Sequence, residues 1–219
     1  MESYMTMLKY SQLFSGVKNT EISAMMNCLQ ARFVIFKKGD YVFREGEHID
    51  QIAILADGKL LVQRDDFWGN RSIIQVIRTG EMFGEAYVAP ESGCLPNDVI
   101  AAENSTVIFF DVRRILTVCS TACRFHSMVI QNLFFAISEK NRKLVQKIDH
   151  MSKRSTRAKL LSYLSEEAKR QNSSRFSIPF TRQQLADFLC VDRSAMSNEL
   201  CKMRDEGLLQ FDKNQFTLR

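Results

Sequence analysis

Between residues 31 and 115 glycines interrupt the chain at positions 39, 46, 58, 69, 80 and 84, and again at 93, and no apolar stretch between them is long enough for a long helix. The runs around those glycines are short and rich in β-branched and aromatic residues: RFVIF, YVFREGE, IAILADG, KLLVQ, RSIIQVI and STVIFFD. Several of the glycines stand about 11 residues apart, the spacing of strands joined by turns, and glycine supplies the positive φ that tight turns need. The segment predicts an antiparallel β-roll of jelly-roll type. Residues 8–30, ahead of it, carry Leu13, Phe14, Ile22, Met25, Met26 and Leu29 at helical spacing and are expected to be helical.

Residues 112–151 are expected to be helical again, with a more regular stripe. Ile130, Phe134, Ile137, Asn141, Leu144, Ile148 and Met151 step alternately by four and three residues. That is an a/d seam, which favours packing against another helix of the same kind. A helix lying on its own domain would show a similar stripe, and three heptads are short. Asn141 falls on the seam, where a buried polar residue costs stability but fixes register and favours a two-stranded pairing.

Charge divides the chain. Residues 1–138 hold 13 Lys/Arg against 15 Asp/Glu, a net of −2; residues 139–219 hold 17 against 10, a net of +7. All the excess positive charge is in the last third, which points to an anionic partner there, nucleic acid first, with a merely solvated basic face as the bland reading. With 45% apolar and 25% charged residues, the composition is that of a globular protein. No apolar run approaches the roughly 18 residues of a membrane span, and MESYMTMLKY has no signal-peptide pattern, so a cytoplasmic protein without membrane contact is expected. The six cysteines (28, 94, 119, 123, 190 and 201) form no C-x-x-C and no paired ligand spacing. They are expected to be reduced, buried thiols, with no metal site.

The basic unit, residues 152–219, has its own punctuation. SKRSTRAKLLSYLSEEAKRQ reads as a helix with Leu160, Leu161 and Leu164 inward, followed by a loop and a short extended piece. Pro179 blocks a helix just before Thr181, and Thr181 with Gln184 forms a T-x-x-Q capping box opening a helix through Leu189. Cys190, Val191 and Asp192 make a turn, with Asp192 as N-cap of a second helix to about Asp205. Gly207 ends it, and LLQF, DKN and QFTLR read as a hairpin. Helix, three-residue turn, helix and hairpin make a winged helix-turn-helix pattern. Ala186 suits a close helix crossing, and Leu185, Leu189, Val191, Met196 and Leu200 would hold the pair. The outward face of the second helix begins Arg193, Ser194, Ser197 and Asn198.

With these motifs in place, the chain resembles the Crp/Fnr family, named after the cyclic AMP receptor protein and the fumarate–nitrate regulator. KKGDYVFREGE, ILADGKLLV and GEMFGE resemble that family's roll, and TRQQLADFLCVDRSAMSNELCKMRDEGLL its DNA-binding motif. The match runs over about residues 8–219. It implies an α+β chain: an effector domain over residues 1–115, a dimerisation helix over 116–151 and a winged helix-turn-helix over 152–219. It further implies a dimeric bacterial transcription regulator on a palindromic double-stranded DNA site, and it admits RNA polymerase as a further partner. By resemblance Thr181 and Gln183 match positions that contact phosphates. Arg193 matches an arginine that reads guanine, which its bidentate donors suit. Ser197 matches a base-proximal position. Ser194 and Asn198 depart from the Glu and Arg of cyclic-AMP-type members, which points away from the standard palindrome. The seam Ile130, Phe134, Ile137, Asn141, Leu144 and Ile148 becomes the dimer interface. The implied mechanism is a population shift that turns the DNA-binding domains about a hinge near residues 150–154.

Cyclic-nucleotide-binding members follow FGE with Arg-Ser/Thr, whose arginine pairs with the cyclic phosphate. Here Phe83-Gly84-Glu85 is present, but Pro96-Asn97 fall at that position, and no Arg or Lys lies between Arg78 and Arg113. A buried phosphate without a cationic partner is costly, so cyclic AMP and cyclic GMP are not expected as tight ligands. An unidentified small effector is the expectation, in a pocket lined by Phe83, Glu85, Tyr87, Val88, Leu95, Asn97, Val99, Phe134, Ile137 and Ser138. The alternatives are a cyclic-nucleotide response, thiol control through Cys94, Cys119 or Cys123, and no ligand at all. Iron–sulfur sensing lacks its clustered N-terminal cysteines. His48, His126 and Cys94 are the haem-ligand candidates, each with a structural alternative. No catalytic set, phosphate loop or metal motif is present, so no enzyme and no cofactor is expected.

Overall fold

A computed structural model describes residues 2–65, 67–68, 71–88, 93–117 and 124–219. It divides into two compact units, Met1–Ser138 and Glu139–Arg219. The turn expected at Gly69 and the cysteines 119 and 123 lie outside the described residues.

The first unit contains strands β1 (Arg32–Phe36), β2 (Tyr41–Phe43), β3 (Gln51–Asp57), β4 (Lys59–Asp65), β5 (Arg71–Arg78), β6 (Met82–Phe83), β7 (Asp98–Ala101) and β8 (Ser105–Asp111). They form two four-stranded antiparallel sheets, ordered β1-β8-β3-β6 and β2-β7-β4-β5, which is the expected roll. Phe43, Leu55, Leu60, Ile77, Phe83, Val99, Val107 and Phe109 form one core. Phe43 meets Phe83 and Phe109 edge-on at 5.9 and 5.8 Å, the arrangement aromatic quadrupoles prefer.

Successive strand residues point to opposite faces, so a strand covered on both sides must be apolar throughout. β3 and β8 show this. Ala53, Leu55, Val107 and Phe109 enter the core just described, while Ile52, Ile54, Ala56, Ile108 and Phe110 enter a second one. That second core is closed by α1 (Glu2–Tyr10), a 3-10 turn (Gln12–Phe14), α2 (Asn19–Cys28), α3 (Val112–Leu116) and the start of α4 (Arg124–Ser152). The helix expected over residues 8–30 is therefore two helices with a turn between them. Gly16, at φ +78°, breaks the run, and a Cβ there would lie 3.3 Å from Met128. The break lets Leu8, Phe14 and Ile22 all reach the same core.

The second unit holds α5 (Thr156–Arg170), β9 (Arg175–Ser177), α6 (Arg182–Leu189), α7 (Arg193–Asp205), β10 (Leu209–Asp212) and β11 (Gln215–Leu218). The strands order β10-β11-β9, all antiparallel, with β10 and β11 as the expected hairpin and β11 as the central strand. Leu160, Leu164, Leu185, Ala186, Leu189, Met196, Leu200, Met203 and Phe216 form its core. Leu161, expected inward, is on the outer face; Tyr163 takes the inward place because it, not Leu161, follows Leu160 by three residues. The cysteines correct another expectation. Cys28, Cys94, Cys190 and Cys201 are all exposed rather than buried, because each falls on a loop or on the outer side of its helix.

The tip of the β4–β5 hairpin carries Phe67 and Trp68, exposed at 96% and 82% and packed edge-on at 5.9 Å. No helix among the described residues is long and apolar enough to cross a membrane.

Gly58 turns β3 into β4 at φ +96°, and a Cβ there would meet the Ser105 hydroxyl and lie 2.7 Å from the Asn104 carbonyl oxygen. Gly80 has a similar φ of +88° with nothing within 4 Å of its Cβ position. Both substitutions to alanine carry left-handed strain, about 1–2 kcal/mol; Gly58→Ala adds a clash. Urea unfolding is expected to show Gly58→Ala as the more destabilising of the two.

Candidate nucleic-acid interface and roll interior

The helix-turn-helix is set by two caps. Thr181 Oγ1 accepts from the Gln184 N–H at 3.3 Å, and Gln184 Oε1 accepts from the Thr181 N–H at 2.9 Å, the reciprocal capping box that opens α6. Cys190 ends α6 in the left-handed region at φ 50°. Lys159 Nζ donates to the carbonyls of Leu189 and Cys190 at 3.1 and 3.3 Å, satisfying the helix end. Asp192 then caps α7, accepting from the Ala195 N–H at 2.8 Å and from Ser194 Oγ at 2.5 Å.

These caps place the sequence-predicted residues. Arg193 and Asn198 are exposed in the first turns of α7, and their side chains make no hydrogen bond or ion pair among the described residues. Ser197 Oγ donates back to the Arg193 carbonyl at 2.9 Å. Ser194 is committed to Asp192, so its hydroxyl proton serves the cap. Gln183, exposed on α6, donates to Asp187 Oδ1 at 2.8 Å. Thr181 is likewise exposed, with its hydroxyl in the capping box.

Sequence reasoning missed the residue that anchors the base of α7. Arg157 on α5 reaches Glu199 at 2.5 Å and Glu206 through two nitrogens at 2.6 and 2.8 Å. Glu206 and Glu199 hold its guanidinium above the ordinary arginine range. Nothing in the spacing of one arginine and two distant glutamates announces a fork of this kind. Arg182 is also structural: it lies over Phe211 and Phe216 at 4.6 and 5.1 Å, and burial pushes its guanidinium down.

In the first unit, Phe83, Tyr87, Leu95 and Val99, four of the expected pocket residues, come together in the roll core. Gly84 makes the turn after Phe83 at φ +89°, and the Tyr87 N–H donates to its carbonyl at 3.0 Å. Glu85 and Asn97 are half-buried beside this core. Val88 packs instead against the helix-side core. Phe134, Ile137 and Ser138, expected in the same pocket, are exposed on α4 and belong to neither core. Gln63 was not anticipated. It is buried on β4 opposite Asp98 of β7, one residue from Asn97. Gln63 Nε2 and Asn97 Oδ1 are both buried and lack hydrogen-bond partners, a neutral donor and a neutral acceptor on adjoining chain segments.

The remaining candidates are also placed. His126 Nε2 lies 2.7 and 3.0 Å from the carbonyls of Arg114 and Ile115, holding α4 to α3. His48 Nε2 lies 3.2 Å from Cys94 Sγ. No group of three or more metal-ligating side chains occurs among the described residues.

α4 has two apolar faces. Val129, Leu133 and Ala136 are buried in the unit's own core, with Ile130 partly against it. Phe134, Ile137, Leu144 and Ile148 of the predicted seam are exposed, at 42–66%, with Asn141 between them. Phe135 and Val145 extend the exposed face.

Comparison with known proteins agrees with this geometry. The cyclic nucleotide-binding domain description matches residues 33–122, and the Crp-like helix-turn-helix domain residues 158–219. The chain is 34% identical over 73 residues to the CRP-like cAMP-activated global transcriptional regulator of Mycobacterium tuberculosis, covering 33% of this chain and 32% of that protein. It is 31% identical over 104 residues to human cGMP-dependent protein kinase 2, covering 47% of this chain but only 13% of the kinase. The chain thus spans only a small part of these two relatives. The crystal structure of the Thermus thermophilus catabolite activator protein shares the fold at a TM-score of 0.54 and 20% identity, over 95% of this chain and 94% of that one. The chain belongs to the Crp/Fnr family of transcriptional regulators, with a cyclic-nucleotide-binding-like domain followed by a helix-turn-helix DNA-binding domain.

The Asp192 cap carries a pH signature. The Ser194 hydroxyl, then the Ala195 amide, hold its carboxyl below the usual carboxylate range. A depressed acid stabilises the fold above its unfolded value, and that contribution is lost as the pH falls through the folded one. Hydrogen exchange of the Ala195 amide is therefore expected to lose protection as the pH falls through the acid range. In Asp192→Asn the protection should no longer follow pH over that window.

Proposed function

We propose that the chain is a dimeric, sequence-specific DNA-binding regulator of the cytoplasm, without enzymatic activity, whose roll takes a small effector other than a cyclic nucleotide. The observation that carries the dimer is the second apolar face of α4. One stripe of the helix is used inside its own unit, and another of equal regularity is left in water. An exposed stripe at heptad spacing is best covered by its own copy, and Asn141 would set the register. Two copies present two α7 helices, and reading successive major grooves requires them about 34 Å apart.

The DNA reading rests on family membership, on the basic second unit and on the polar side chains at the start of α7, those of Arg193 and Asn198 being without internal partners among the described residues. Arg193 offers a bidentate donor to guanine, Asn198 a neutral amide, and Ser197 a shorter hydroxyl. Thr181 and Gln183 at the start of α6 serve the phosphates. RNA polymerase remains a partner by family likeness alone.

The effector reading rests on what surrounds the roll core. Between Arg78 and Arg113 the chain offers no cation to pair with a cyclic phosphate. It offers instead the neutral amides of Gln63 and Asn97 beside apolar Phe83, Tyr87, Leu95 and Val99. Such a lining suits an uncharged or weakly polar organic molecule. Binding would act by preferring the dimer geometry with the correct spacing.

Three measurements test the proposal. Sedimentation of the intact chain is expected to give a dimer, and Leu144→Glu with Ile148→Glu a monomer; a monomeric wild type refutes the seam. Arg193→Ala is expected to weaken binding to a selected operator by about 1–3 kcal/mol per site, with the steep salt dependence retained; unchanged affinity refutes the role of Arg193. Calorimetric titration with cyclic AMP is expected to show binding weaker than about 10 μM; tighter binding refutes the reading of the roll.

A further inference from the structure

Four cysteines among the described residues are exposed, and only Cys94 has an imidazole beside it. Its Sγ lies 3.2 Å from His48 Nε2, on a segment 46 residues away. The backbone fixes the contact. The Gly46 N–H donates to the Leu95 carbonyl, and the Leu95 N–H donates to the Glu47 carbonyl, both at 2.8 Å. Asp98 adds a third tie, its carboxylate accepting from the Glu45 N–H at 2.8 Å. These bonds flank the pair directly and bring residue 94 beside residue 48. The nearest carboxylate in sequence, that of Glu47, is turned to the Arg44 N–H at 3.0 Å. The imidazole is therefore the group that faces the sulfur. Cys190, by contrast, has only a backbone carbonyl at 3.6 Å.

We propose that Cys94 and His48 form a reactive thiol site whose substrate class is the hydroperoxides. A nucleophile within hydrogen-bond reach of a base is the arrangement that activates a thiol. In the tautomer with its proton on Nδ1, His48 takes the thiol proton on Nε2 and leaves a thiolate paired with imidazolium. The thiolate attacks the terminal oxygen of the hydroperoxide. An S–O bond forms, the O–O bond breaks, and the leaving alkoxide or hydroxide takes the proton from Nε2. The sulfur gives up two electrons and becomes a sulfenic acid; the peroxide takes them and leaves as alcohol or water. Both side chains are exposed, so the site selects by reactivity and not by fit, which suits a small oxidant. The next residue, Leu95, is buried in the roll core, so the modified atom sits one residue from the effector wall. This proposal rests on the first unit alone and stands apart from DNA binding.

The test compares thiols within one protein. Full-length chain is treated with iodoacetamide at pH 7 and labelling is followed peptide by peptide in a mass spectrometer. Cys94 is expected to react at least about tenfold faster than Cys28, Cys190 and Cys201. His48→Gln, an exposed substitution, is expected to remove most of that advantage while leaving the other three rates unchanged. In a second arm, hydrogen peroxide followed by dimedone is expected to give a sulfenic-acid adduct at Cys94 in the wild type and a strongly reduced one in His48→Gln. Equal alkylation rates across the four thiols, or a Cys94 rate indifferent to His48→Gln, would overturn the dyad. Fast alkylation with no dimedone adduct would overturn the hydroperoxide assignment.

Discussion

Two strands bear both layers of the first unit. β3 and β8 pair along most of their length, and each sends alternate side chains into the roll core and the helix-side core. A polar residue at either set of positions would open one of two packed layers, and each layer closes the other's back. The roll and its helices are therefore one cooperative piece. The turn at Gly58 has to be tight because it delivers β4 from β3 directly over Ser105, the first residue of β8. The N-terminal helices are interrupted for the same reason: a straight helix over residues 8–30 would point half of its apolar residues away from that sheet.

In the second unit the Arg157 fork ties helices together alongside the apolar core. It joins α5 to the end of α7, while Asp192 secures α7 at its start. Much of the unit's positive charge is occupied in this internal way. Arg142, Lys153, Arg157, Arg170 and Arg204 each face a carboxylate of the same unit. The carboxylates in these pairs are already counted in the formal +7, which is therefore the excess left open to a polyanion. Arg193 stands out by contrast, a cation with no internal partner at the positive end of a helix dipole.

The roll, the helix-turn-helix and both caps of the second unit were legible in the sequence, since glycine spacing, capping residues and turn chemistry are local signals. The Thr181–Gln184 box and the Asp192 cap are fixed by residues within three positions of one another. What escaped depends on distant pairs. Arg157 with Glu199 and Glu206, Gln63 beside Asn97, and His48 beside Cys94 are each more than 30 residues apart, and no periodicity links them. The expected burial of the cysteines failed for a different reason: the general habit of the residue type gave way to its place on loops and outer helix faces. The supposed contribution of Phe134, Ile137 and Ser138 to a pocket assumed a neighbour for α4 that a single chain does not supply.

The β4–β5 hairpin tip has an optical consequence. Trp68 is the chain's one tryptophan, and it is largely solvent-exposed at the end of a hairpin and belongs to neither hydrophobic core. Indole emission from the folded chain therefore reports the solvent around that tip. Melting the cores would change it little, because the indole is already wet before they open. A blue shift would mean that something has come to cover the hairpin, so the fluorescence of this protein is a gauge of contact and not of folding.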